Sequence, residues 1–325
     1  PLWMASLAFL FPETIALMTG FELDLIPTLA IELAFVWIVV FMSFSKVSDS
    51  EWILNGGAVL KVLVAVSVGV LGIWYACANG FAGSMAPETF LPDLTIIIFN
   101  FTGFEVICTF AKDMQNPARD IPKAIILGGL AIGAIYLFCG FGIGAAIPAD
   151  QIDPDFGMLV AVMTMVGEAS PIFIIIAVAF LITLFANMAS WSFGVNFVAD
   201  YAAKNQNMPK VFAHENPKTA MPTGAAVVNG IVATAVLLIQ LIPNEAISNG
   251  LFWTLFATSV VFLLLTYIPM FPAFIKLRKV DANRPRVYRF PFQGTAMKVI
   301  LAIPVIELVL AIVATLVPFS AEEVA

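Results

Sequence analysis

The sequence predicts an all-α membrane protein, a bundle of transmembrane helices, and three observations carry that prediction. Hydrophobic residues make up 61% of the 325 positions and charged ones only 11%, with a mean hydropathy of +0.99, whereas soluble domains carry about 25% charged residues. Several apolar runs reach the roughly 20 residues that cross the hydrocarbon core as helix, and none shows the short alternation of an outer-membrane strand. The connections between runs also alternate in charge. Those at Gly20 to Pro27, Ala78 to Leu94, Pro148 to Pro171, Pro243 to Asn249 and Ser320 to Ala325 hold acids and no Lys or Arg, while the others hold fourteen of the fifteen basic residues. By the positive-inside rule the basic connections are cytoplasmic and the chain is a multi-pass protein of the cell membrane.

Nine spans follow, at 1–19, 28–45, 52–77, 95–112, 123–147, 171–203, 222–243, 250–275 and 296–319, in one transmembrane domain over residues 1–325. Pro12 kinks the first span beside Glu13, and Glu32 lies early in the second. The third carries Lys61, the fifteenth basic residue, about two and a half turns from its start, where it either snorkels to an interface or is held by interior partners. The fourth is the centre of interest. Its apolar run is interrupted at Asn100-Phe101-Thr102-Gly103, carries a carboxylate at Glu105, and ends in the basic, proline-punctuated stretch up to Lys123.

In hydrocarbon a helix is broken only where the freed backbone groups line a cavity or bind something, and an ionisable residue there marks a functional path by default. The bland alternative is a close helix contact at Thr102-Gly103 with Glu105 a satisfied interior acid. Further along, the apolar spacing between Asp155 and Glu168 is too short to cross and reads as an extracellular surface helix. The sixth span runs on past Asp200, Tyr201 and Lys204 as a polar extension, and Pro304 kinks the last, which also holds Glu307.

Catalysis has little to work with. Cys77, Cys108 and Cys139 form no disulfide framework or metal spacing, and His214, the only histidine, sits in a polar loop. The expected partners are therefore the lipid bilayer and a small solute, with no metal, cofactor or nucleic acid.

Four stretches resemble the amino acid–polyamine–organocation permeases. FNFTGFEVICTFAKDMQNPARDIPKAI, Phe99 to Ile125, is similar to that family's sixth helix with its broken G-F-E segment and N-P-x-R-x-I-P loop. Val47 to Val64 resembles the fifth helix, Asn187 to Pro222 the eighth helix with its loop, and Ile275 to Pro291 the loop after the tenth. The resemblance implies a LeuT-like inverted-repeat bundle in which the nine spans correspond to helices three to eleven. Helices one and two, and any twelfth, are then expected outside this sequence.

It also implies roles, position by position. Phe99 matches an aromatic that closes over bound substrate, and Asn100, Phe101, Thr102 and Gly103 match the unwound backbone that contacts it. Glu105 matches an acid tied to proton sensing or gating, and Lys61 a lysine standing where sodium-coupled relatives hold a sodium ion. Trp191 matches a substrate-facing aromatic of helix eight, with Asn187 one turn outward. The function so implied is secondary transport of amino acids by alternating access, as exchange of the glutamate/γ-aminobutyrate kind. Proton-coupled symport of neutral amino acids, or a non-transporting membrane partner subunit, are the alternatives.

Overall fold

The computed structural model describes residues 1–83, 97–103, 107–108, 114–152, 156–242, 245–284 and 290–316, with the side chains of 245–250 and 252 outside the description. Among the described residues the regular structure is helical throughout: α1 (Leu2–Thr19), α2 (Leu25–Met42), α3 (Val47–Asn79), α4 (Pro117–Ala146), α5 (Gly157–Val166), α6 (Pro171–Lys204), α7 (Thr223–Leu237), α8 (Glu245–Tyr267), α9 (Met270–Val280) and α10 (Gly294–Leu316), with single 3₁₀ turns between some of them. Eight helical segments are long and apolar enough to cross a membrane, α8 and α9 counting as one and α7 together with the 3₁₀ turn Leu238–Leu241 as another. Half of the ninth expected span, 95–112, lies outside the described residues. What is described of it is helix at 97–100, a turn, and a short 3₁₀ stretch at 107–108.

Local chemistry places several boundaries. Ser170 accepts the Ile172 N–H with its side chain and is followed by Pro171 at the first helical position, a strong start for α6. Gly20 closes α1 in the left-handed conformation at φ +70°, where its N–H returns to the Ala16 carbonyl.

The chain forms two compact units, residues 1–85 with 134–256, and residues 86–133 with 257–325. The first unit has two apolar cores. One gathers α1, α2, α7 and the start of α8 around Phe35, Val36, Val39 and Val40, and the other gathers α3, α5 and α6 around Val68, Leu159, Val162 and Phe173. The α5 segment, expected as an extracellular surface helix too short to cross, packs one face inward: Leu159, Ala161 and Val162 are fully buried against α3 and α6, while Thr164 stays exposed. Its length excluded a span but said nothing about which of its faces is covered.

Outside these cores the helices present large apolar side chains, among them Ile126, Leu127, Leu130 and Leu137 on α4. Water would not tolerate so broad an apolar surface, and lipid does. The chain is an integral membrane protein.

The sidedness expected from the loop charges is open to a direct check. With Cys77, Cys108 and Cys139 replaced, Ala82→Cys, an exposed position, is expected to react with a membrane-impermeant maleimide from outside intact cells. Asn207→Cys, exposed after the end of α6, is expected to react only after permeabilisation. The opposite pattern would invert the topology. Ala82 suits the label better than Gly83, whose Cβ would stand 2.4 Å from the Phe81 ring.

Candidate functional site

In the second unit the helix at 97–100 stops where the sequence breaks. The Phe101 N–H donates to the Ile98 carbonyl and the Thr102 N–H to the Phe99 carbonyl, each at 3.0 Å, and the Thr102 hydroxyl donates to that same Phe99 carbonyl at 2.7 Å. These bonds close a tight turn. Gly103 then takes φ +93°, a conformation open to glycine and strained for any residue with a Cβ.

The Gly103 N–H, freed from helical pairing, donates to the Tyr267 hydroxyl at the end of α8 at 2.8 Å. Phe101 is 44% exposed and Asn100 is exposed, whereas Phe99 and Thr102 are half-buried. Glu105 lies outside the described residues.

The remaining candidates belong to the first unit. Asn187 and Trp191 are four residues apart on α6 and so share a face. The Asn187 Oδ1 is buried with no hydrogen-bond partner among the described residues, while Trp191 is half-buried against the core of α1, α2 and α7. Lys61 stands on an exposed face of α3, with no ion pair or hydrogen bond to a described residue. The membrane acids separate clearly. Glu13 and Glu307 are exposed, but Glu32 is fully buried, its Oε2 accepting from the Gln240 amide at 2.7 Å and its Oε1 without a partner.

Two polar features escaped the sequence-based reading. Beside Trp191, a buried chain runs from Ser43 to Ser192 (2.9 Å), from the Asn196 amide to Ser192 (3.1 Å), and from the Asn229 amide to the Asn196 carbonyl oxygen (2.8 Å). It ties α6 to α7 and to the end of α2. Ser192 and Asn196 at i and i+4 in an apolar helix were the available signal, since interhelical polar pairs of this kind hold membrane helices together. The other feature is Tyr267, more than 160 positions from the segment that it caps; no local pattern links the two.

The described part of the broken segment, 97–103, offers backbone, an exposed aromatic ring and a Thr102 hydroxyl already bonded to the Phe99 carbonyl. Among the described residues no cluster of three or more His, Cys, Asp or Glu is placed to hold a metal. Such an arrangement can bind and release a small solute.

Comparison with known proteins agrees. A family model described as "Amino acid permease" matches residues 1–324. The "Probable agmatine/putrescine antiporter AguD" of Lactococcus lactis subsp. lactis is 44% identical over 98% of this chain and 70% of its own length. The "Low-affinity putrescine importer PlaP" of Escherichia coli is 25% identical over 76% of this chain, and "Cationic amino acid transporter 4, vacuolar" of Arabidopsis thaliana 22% over 75%. The chain spans 58% and 41% of those two proteins, less than two thirds of either.

Proposed function

This chain belongs to the amino acid permease family, transporters rather than enzymes, and we propose that it exchanges small amine-bearing cations across the cell membrane by alternating access. The observation that carries the cationic substrate is the α6 face. Among the described residues Asn187 Oδ1 is a buried acceptor without a donor, a state that costs on the order of 1–3 kcal/mol, and an ammonium or guanidinium group supplies that donor. Trp191, one turn along, presents a ring that favours the same charge.

The name of the 44%-identical lactococcal protein, an agmatine/putrescine antiporter, supports both the exchange and the amine. Neither the α6 face nor the relatives support the glutamate/γ-aminobutyrate pair expected from the sequence. The family resemblance supports Phe99 to Gly103 as backbone contacts of a solute, with Phe99 closing over it, and Lys61 and Glu105 as groups that couple or gate.

The test uses the full-length protein in liposomes. Putrescine loaded inside is expected to drive uptake of labelled agmatine about tenfold or more above empty liposomes, the equivalent of one 1.4 kcal/mol step in coupling. No pH gradient should be needed, and internal glutamate should be inert. Uptake into empty liposomes driven by a pH gradient would replace exchange with proton-coupled symport. Exchange of glutamate for γ-aminobutyrate without amine uptake would overturn the substrate class, and no transport at all would favour a partner subunit.

A further inference from the structure

Seven of the fifteen basic residues fall between Lys276 and Lys298, with Asp281 the single acid among them, in a chain whose net charge is −7. Loop charge of this sign sets orientation and needs no particular shape. Here it has one. Arg278, Lys279, Arg284 and Lys298 converge with Gln293 and Thr295 on a cleft of about 580 Å³ between α9 and the start of α10, all within the second unit.

Two of these cations are already engaged: Arg278 lies 4.7 Å over the Phe274 ring, and Arg284 reaches Asp281 at 3.4 Å. Lys279 and Lys298 have no hydrogen bond or ion pair to a described residue. The first turn of α10, a 23-residue helix, opens at the same cleft and carries no acid of its own. Its unpaired N–H groups and positive dipole end add to the lysines.

The surroundings say which anion. α10 is a membrane span, so its first turn lies where the chain enters the bilayer. Flanking the cleft, Leu277 is 58% exposed, Val280 76%, Phe292 46% and Val299 57%. Phe274, Phe290 and Phe292 form a ring cluster beside it, with centroids 5.9 and 5.7 Å apart. A soluble phosphate has no use for exposed aliphatic and aromatic side chains beside its site. A phospholipid covers them with its acyl chains while its phosphate sits among the lysines.

We propose that the α9–α10 cleft binds the phosphodiester headgroup of an anionic membrane lipid. Lys279, Lys298 and the α10 N-terminus hold the phosphate, Arg278 and Arg284 frame it, and Leu277 and Val280 meet the chains.

The experiment reconstitutes full-length protein in phosphatidylcholine nanodiscs containing a minor fraction of spin-labelled phosphatidylglycerol, with spin-labelled phosphatidylcholine as the reference. Wild-type protein is expected to retain the phosphatidylglycerol label in preference to the reference. Each cation near an anionic headgroup contributes about fivefold, so Lys279→Gln with Lys298→Gln is expected to lower the preference by on the order of tenfold or more. Lys279→Gln alone is expected to lower the preference about fivefold, whereas Lys276→Gln, which removes the same single charge outside the cleft lining, should leave it within about twofold. Equal retention of the two labels, an unchanged preference in the double variant, or an equal loss in Lys276→Gln would overturn the proposal. Release of the lipid label by millimolar inorganic phosphate would assign the site to a soluble anion instead. Each variant is first shown to elute as a single species, and the arginine pair is left intact so that the loop keeps its internal contacts.

Discussion

Replacing Gly142 with valine is expected to remove most of the folded protein from the membrane, the largest effect of any single substitution proposed for this chain. A Cβ at Gly142 would stand 2.4 Å from the Val68 carbonyl oxygen and 2.9 Å from the Gly69 Cα, and one at Gly72 would stand 2.4 Å from the Gly142 Cα. The crossing of α3 and α4 is thus backbone against backbone. No side-chain rotation can relieve a clash of that kind, and the helices must separate.

Between membrane helices there is no hydrophobic drive to hold them together once close packing is lost. Overpacking costs about 1–3 kcal/mol even where side chains can shift, so about 3 kcal/mol or more is the reasonable scale here. The measurement is the yield of monodisperse protein after mild detergent extraction, together with its thermal midpoint. Gly140→Ala is the matched control, because a Cβ there meets nothing within 4 Å. A wild-type midpoint for Gly142→Val would mean that α3 and α4 do not cross as described.

That crossing illustrates what the sequence does and does not make legible. Membrane spans are legible because hydrocarbon forces each one to satisfy its backbone alone, so length and apolarity suffice to find it. The break at Phe101–Gly103 was legible for a related reason, since a small polar interruption in an apolar run is costly unless it is used. Pairings between distant segments leave no such mark. Nothing near Gly72 points to Gly142, nothing near Glu32 points to Gln240, and the inward face of α5 is set by the helices that cover it.

Charge was half legible. The alternation of acidic and basic connections leads to an expected nine spans and an expected sidedness, but it could not separate Glu32, fully buried beside Gln240, from Glu13, which is exposed only nineteen positions earlier. The substrate illustrates the same divide. The family resemblance led toward a glutamate/γ-aminobutyrate pair, whereas the Asn187 oxygen, without a partner among the described residues, is a property of packing and not of order along the chain.

The second large effect concerns how the broken segment keeps its shape. Gly103→Val is expected to lower the initial rate of solute exchange about a hundredfold or more, and Tyr267→Phe about tenfold, each per unit of inserted protein. At φ +93° a β-branched residue carries a strain on the order of 1–3 kcal/mol, and moving out of that region swings the chain on either side of the turn. Tyr267→Phe keeps the ring and removes the acceptor of the Gly103 N–H. An N–H left unpaired at membrane depth costs about 1–3 kcal/mol, roughly tenfold to a hundredfold in the population of the competent turn.

Because both variants act on one hydrogen-bonded contact, their effects should not add: Gly103→Val with Tyr267→Phe is expected to be little worse than Gly103→Val alone. A structural collapse would lower membrane yield and thermal midpoint along with rate. A positioning role lowers the rate while leaving yield intact, and it shifts the KM for solute in Tyr267→Phe. Full wild-type exchange by Tyr267→Phe would show that the turn closed by Thr102 and the Phe99 carbonyl holds the segment without help from α8.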